Sequence, residues 1–458
     1  MCKKVVALFL ILFVMCIGIT ASTEEKSSEK PIAHINFSSW IKESFTVSPS
    51  NKRVAYAAVV DNKWFVVVDG KEGKPHDGIG GGTPIFSPDS TQVAYRARQG
   101  NKLFMVVDGK RGKRYDQIGA PIFSPDSQQV AYVAKIVDEQ CVVVDGKEGK
   151  HYDGTLADSL IFSPDSKRVA YAAQVGNKWF VVFDGKEGKY YDGIDSIIFS
   201  PDSKQVAYGA KQGDKIFVVV DEKEGKQYDA IGGHLFSPDS QRVAYVAKQG
   251  DKLFVVVDGK EEKQYDGTLA DSLIFSPDSK RVAYGARAGN KWFVVFDGKE
   301  GKQYDAIGAG TLMFSPDSKH VAYVAGVGNK QFVVVDGKER KHYNGIIEGA
   351  PIFSPDSKRV AYAAQQGNKQ FVVVNGKEGK PYDGIVDGTL IISPDSKHVA
   401  YNARVGNKQF VVVDGKEGKQ YDGIVTTGGG SIIFGSDESL HYLANRGKTI
   451  YLVEERIE

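Results

Sequence analysis

Residues 160–194 read LIFSPDSKRVAYAAQVGNKWFVVFDGKEGKYYDGI. Four short runs rich in Val, Ile, Phe, Tyr and Ala (160–162, 167–173, 179–183 and 190–194) alternate with clusters of turn residues. The clusters are Ser163-Pro164-Asp165-Ser166, Gly176-Asn177 and the stretch 184–189, Asp-Gly-Lys-Glu-Gly-Lys. β-branched and aromatic runs bounded in this way predict strands. The turns carry their own chemistry: Pro164 presets φ for the second position of a turn, and Asp-Gly and Gly-Asn supply the positive φ that tight hairpins need. No stretch places apolar residues at i, i+3, i+4 and i+7 over three turns, so helices are not expected.

The unit recurs along the whole chain. Ser-Pro pairs begin at Ser48, Ser87, Ser124, Ser163, Ser200, Ser237, Ser276, Ser315, Ser354 and Ser393, with spacings of 37 or 39 residues. A degenerate eleventh unit, lacking the Pro, starts at Phe434-Gly435-Ser436-Asp437. A strand-rich period near 40 points to propeller blades or a β-solenoid. Residues 152–171 are identical to 265–284, three units further on, and Trp64, Trp179 and Trp292 keep the same rhythm. Duplication in blocks of three is the simplest account, so a repeated residue is not thereby a functional one.

The stretches 162–171 and 275–284, Phe-Ser-Pro-Asp-Ser-Lys-Arg-Val-Ala-Tyr, resemble the Ser-Pro-Asp-Gly-Lys motif of the WD40-like propeller repeats of the TolB and dipeptidyl-peptidase type. The resemblance spans about residues 45 to 434 and departs from the family in having Ser where Gly usually follows the Asp. It implies an all-β propeller, and the repeat count makes this one of ten to eleven four-stranded antiparallel blades of 37–39 residues, closed as one large ring or as two tandem rings. The last unit lacks a fourth strand, and the segment 34–37 is expected to supply it and tie the ends of the chain together.

Composition narrows the function. With 41% hydrophobic and 25% charged residues the chain must bury a core rather than stay disordered. Lys and Arg number 59 against 57 Asp and Glu, and the leader holds Lys3 and Lys4 but no acid, so the remainder is neutral and offers no basic footprint for nucleic acid. Residues 1–21 combine a basic start, an apolar run from Val5 to Ile19 and small residues near Ala21, the layout of a secretory signal peptide and short for a membrane span. The reading is therefore a signal peptide over 1–21, an N-terminal segment over 22–44 with the ring-closing strand, and propeller repeats over 45–458, exported to the periplasm, cell envelope or beyond, with no stable span after cleavage. An uncleaved anchor, or lipidation at Cys16, is the alternative. Cys141 is the one cysteine outside the leader and stands where most units have Phe, so it reads as a small buried residue.

No Gly-x-Ser-x-Gly elbow, zinc-type His or Cys pair, or calcium-type loop stands out, and no cofactor is expected. The segments that differ from unit to unit read as crossovers between blades. Variable loops on a rigid scaffold are where binding is usually placed. They nominate Asp158, Ser159, Asp195, Ser196, His234, Asp271, Ser272, Thr311, Glu348 and Asp387 as a contact surface. The function expected is a non-enzymatic scaffold for a protein partner, or for a peptide or glycan. A hydrolase or lyase with Asp158, Asp195, Asp271 and Glu348 in the central channel is the alternative.

Overall fold

The computed structural model describes residues 27–457 except 270, 348–350, 436 and 437. The leader with Cys2 and Cys16, Glu348, and Ser436-Asp437 of the degenerate unit lie outside the described residues. Eleven antiparallel sheets of four strands each are arranged in a single ring, a β-propeller. Blades 1 to 11 begin at Thr46, Gly78, Gln117, Gly154, Gly193, Ala230, Gly267, Ala306, Gly345, Gly384 and Gly423.

In blade 4 the inner strand comes in two pieces, Gly154–Thr155 and Ile161–Phe162, both paired with the second strand Val169–Val175. The third strand, Lys178–Phe183, and the outer strand, Lys186–Glu187, complete the sheet. Asp184 (φ 50°) and Gly185 (φ 74°) form a two-residue turn with both φ positive, the geometry whose twist matches a hairpin. The outer strand therefore starts at Lys186, not at residue 190 as the apolar pattern suggested. Tyr191 makes one further bridge to Trp179, and Gly193 already belongs to blade 5.

Sheets pack face to face through Val, Tyr, Phe and Ala. One core cluster joins Ala244, Val255 and Val257 of blade 6 to Val282, Tyr284, Phe293 and Val295 of blade 7. Residues such as Ala170, Ala172 and Ala173 are fully buried and small enough to let neighbouring sheets approach. Cys141 has 0% exposure in the Phe position, and burial, with the Glu148 charge, pushes its thiol up to about 11.

Closure is supplied by Ser27–His34, which pairs antiparallel with Thr449–Arg456 as the outer strand of blade 11. It lies N-terminal of the segment 34–37 expected to do this and meets it only at His34. Glu29 on this strand accepts from Arg446 (2.8 and 2.9 Å) and Tyr421 (2.5 Å) and pairs with Lys419 (2.8 Å). The inner strand of blade 1 packs against residues 427–429 of blade 11, and Asn51 exchanges hydrogen bonds with the Ser431 backbone. The two ends of the described residues thus meet in one sheet, which decides for one ring over two.

Candidate functional site

The repeated polar residues hold blades together. In Ser87-Pro88-Asp89-Ser90 the Ser87 hydroxyl donates to Asp89 Oδ1 (2.6 Å) and accepts from the Gln92 amide (2.9 Å). The hydrogen bonds from Ser87 and from the Thr91 amide hold the Asp89 carboxyl down at about 2. The Asp89 amide then donates to Ser127 Oγ of the next blade (2.9 Å), and Ser127 takes φ 65° to present it. Nine such links run without a gap from blade 1 to blade 10. At the opposite ends of the strands, Asp192 accepts from Lys178 of its own blade (2.6 Å) and from the Gly213 amide in the hairpin of the next (2.7 Å). The Asp of the repeat is an inter-blade connector, with its oxygens engaged.

What varies lies elsewhere than the sequence indicated. The crossover between blades is short and nearly invariant, Tyr191-Asp192-Gly193 and its counterparts. The variable segments are instead excursions of the inner strand, between its two paired pieces. Inner strands of neighbouring blades approach one another, as Ile352–Phe353 and Ile391–Ile392 do, so they line the central channel. Repeat spacing carried a sign of this: the units two residues shorter belong to blades 3, 5 and 6, and in blades 5 and 6 the inner strand runs unbroken, Gly193–Phe199 and Ala230–Phe236.

Several nominated residues hold these excursions in shape. Ser159 donates to the Leu156 carbonyl (2.5 Å) and accepts the Ala172 amide (2.8 Å); Ser272 does the same with Leu269 (2.7 Å) and Gly285 (2.9 Å). Thr311 repeats it with Gly308 and Val324. Ser159 and Ser272 are 6% and 2% exposed, so these hydroxyls are buried within the excursions they close. The tips carry the exposed groups: Asp158, Asp271 (φ 54°) and Asp387.

One part of the wall gathers nominated residues from three consecutive blades. The blade 4 excursion, 157–159, abuts the inner strand of blade 5, where Asp195 and Ser196 are exposed and Ser196 Oγ donates to Asp195 Oδ1 (3.2 Å). His234 of blade 6 lies against the Ser196 backbone. Burial lowers its pKa, while the backbone of Ser196 and Ala207 and the Asp195 charge act in the opposite direction. Its Nε2 is buried without a partner among the described residues. The group brings an exposed carboxylate and a half-buried imidazole together on the channel wall. Asp271, Ser272, Thr311 and Asp387 lie on blades 7, 8 and 10 and do not join this group.

Sequence reasoning passed over Arg96. It occupies a second-strand position that is Ala, Gly, Val, Asn or Leu in the other ten blades, and that contrast was its signal. Its guanidinium donates to the carbonyls of Gly81 and Ile118 (3.1 Å for the latter), bridging the inner strands of blades 2 and 3, and burial lowers its pKa. A Cβ on Gly80 would fall 2.7 Å from Arg96 Nε, so glycine there leaves room for the side chain.

Fold and site together define an eleven-bladed β-propeller whose blades differ chiefly along the channel wall. No family model and no curated protein matches the chain. Among solved structures it is similar to a eukaryotic initiation factor (14% identity, TM-score 0.40, covering 72% of this chain and 96% of that one). It is also similar to TolB from Acinetobacter baumannii (15%, 0.26, 54% and 77%) and to Kuenenia stuttgartiensis hydrazine synthase (14%, 0.28, 56% and 95%). The fold assignment rests on the blades themselves, and nothing about activity is taken from these likenesses. No described helix is long and apolar enough to cross a membrane.

Proposed function

We propose that the chain is exported and serves as a non-enzymatic, protein-binding scaffold whose partner contacts the inner-strand excursions. The observation that supports this most is a division of labour. Polar groups common to the blades are engaged between blades, whereas the exposed tips, with Asp158 and its copy Asp271, Asp195 and Asp387, differ among the blades, those of blades 4 and 7 alone being identical through duplication. A rigid ring with variable inward-facing tips suits recognition. Immobilised protein is expected to capture a saturable partner from envelope or culture fluid of the source organism. The double substitution D158K/D271K should weaken that capture at unchanged melting temperature; undiminished capture would count against the channel wall as the contact surface.

A second reading is a hydrolase or lyase acting on a glycan or peptide in the channel, supported by the adjacency of Asp195 and His234. Turnover by the purified protein that D195N or H234N abolishes would replace the scaffold reading.

A further inference from the structure

The outer rim repeats one polar arrangement. At nine of the eleven seams a Lys from one blade reaches the outer-strand Glu of the next, from Lys113–Glu148 (2.6 Å) round to Lys419–Glu29 (2.8 Å). At several of these a Tyr donates to the same carboxylate, as Tyr228 does to Glu261 (3.0 Å) and Tyr343 to Glu378 (2.9 Å).

The seam between blades 1 and 2 breaks the pattern. Lys74 stands in the Lys position and His76 in the Tyr position, since His76 bridges Trp64 as Tyr191 bridges Trp179. The Glu position is Arg111, opposite Val106 as Glu187 is opposite Val182. A guanidinium thus replaces the carboxylate, within the run Lys110-Arg111-Gly112-Lys113-Arg114. Arg111 lies 4.3 Å over the Phe104 ring and donates through Nη1 to Gln99 Oε1 (2.7 Å). His76 is 5% exposed, and its Nδ1 has no partner among the described residues. Burial lowers the His76 pKa, and Arg111 and Lys74 act in the same direction.

Beside these groups is a cleft of about 330 Å³ whose lining includes Val66, Val68, Val93 and Tyr95 together with Lys71 and Lys74. Asp69 and Asp108 on its wall are engaged by Arg53 and by the Val54 and Val93 amides. Glu72 is the one lining acid with no hydrogen bond or ion pair among the described residues; the lining itself balances Arg53, Lys71 and Lys74 against Asp69, Glu72 and Asp108, and the added positive charge at the seam is Arg111 in the Glu position.

We propose that this seam is an anion site that takes a carboxylate from an acidic segment of a protein partner, docked where an internal Glu sits at the nine other seams. The proposal rests on the scaffold reading for the nature of the partner. Lys supplies a point charge and Arg a planar donor set suited to a carboxylate, and the neighbouring cleft accommodates the stem that carries it.

The probe is a fluorescein-labelled hexaglutamate peptide titrated against the purified protein at low ionic strength. Arg111→Glu restores the Lys–Glu pair of the other seams, so it should fold at least as well as wild type, and a melting curve checks this. Wild type is expected to bind saturably, R111E about tenfold more weakly. K338E, which makes the same charge change at an exposed site on blade 8, should bind as wild type does. Absence of binding by wild type, or equal loss in K338E, overturns the site. Displacement of the peptide by inorganic phosphate at equal concentration overturns the carboxylate assignment. Partner capture that R111E retains in full, but that D158K/D271K reduces, leaves the scaffold reading standing while overturning this one.

Discussion

Residue-level exceptions to the repeat are informative because the other ten copies show what the position normally demands. Val137 takes φ 56° in the blade 3 hairpin, where blade 4 has Gly176 at 57°, and it is 70% exposed. A β-branched residue there stores strain on the order of 1–3 kcal/mol. Glycine would relieve it at a cost of roughly 0.5–1 kcal/mol in unfolded-chain entropy. Val137→Gly should therefore stabilise the protein by about 1 kcal/mol, read from chemical denaturation; a destabilised variant would show that the side chain packs against something that offsets the strain. Cys141 is an exception of the quieter kind. With its thiol pushed up to about 11 by burial, it should resist thiol reagents at pH 8 in the native protein and react once guanidinium unfolds it. Rapid native labelling would contradict the burial.

For the strands, hydrogen-bond completeness sets the stakes. Ser159 both closes the blade 4 excursion and receives a second-strand amide, so Ser159→Ala leaves a buried N–H unpaired. The expected loss is about 1–3 kcal/mol. Asp158→Asn at the exposed tip should change stability by less than about 0.5 kcal/mol. Equal losses for the two would mean that the tip, too, is structural. The ring-closing strand has a pH signature. Burial raises the Glu29 pKa, but hydrogen bonds from Arg446, Lys419 and Tyr421 outweigh it and bring the group to about 2, below its ordinary 4.5. A depressed folded-state pKa adds stability that is present above about 4.5 and is lost as pH falls toward about 2. E29Q should weaken the protein at pH 7 and flatten this acid limb of the melting temperature. An unchanged limb would place the acid sensitivity at other carboxylates.

Across the whole ring, two kinds of inter-blade contact respond differently to salt. The rim pairs are solvent-exposed, each contributing about 0–1 kcal/mol and screened by ions. The Ser–Asp turn links are short-range hydrogen bonds and the cores between sheets are apolar. The melting temperature should consequently fall by only a few degrees, on the order of 2–5 °C, in 1 M sodium chloride. A collapse in stability would make the ion-pair rim the principal connection between blades.

Strand content, turn types and the four-stranded unit were legible in the sequence because they depend on nearest neighbours: Pro164 and Asp-Gly act within two to four residues. The unit count was nearly legible, and the two-residue difference in spacing already marked blades 3, 5 and 6. The place of the variable segments was not. Periodicity shows which residues differ, whereas their lying within the inner strand depends on pairing to the second strand on both sides of the excursion. Ring closure was also a tertiary matter: Ser27–His34 shares no motif with the Asp-Gly-Lys-Glu strands it completes, and is identified by its partners Thr449–Arg456 more than 400 residues away. By itself the sequence determined a propeller blade and its repetition, since those follow from local backbone chemistry. The tertiary structure decided the single eleven-bladed ring, the inward placement of the variable tips and the placing of Lys74 and Arg111 on one seam beside His76, since each needs segments brought together that the chain holds apart.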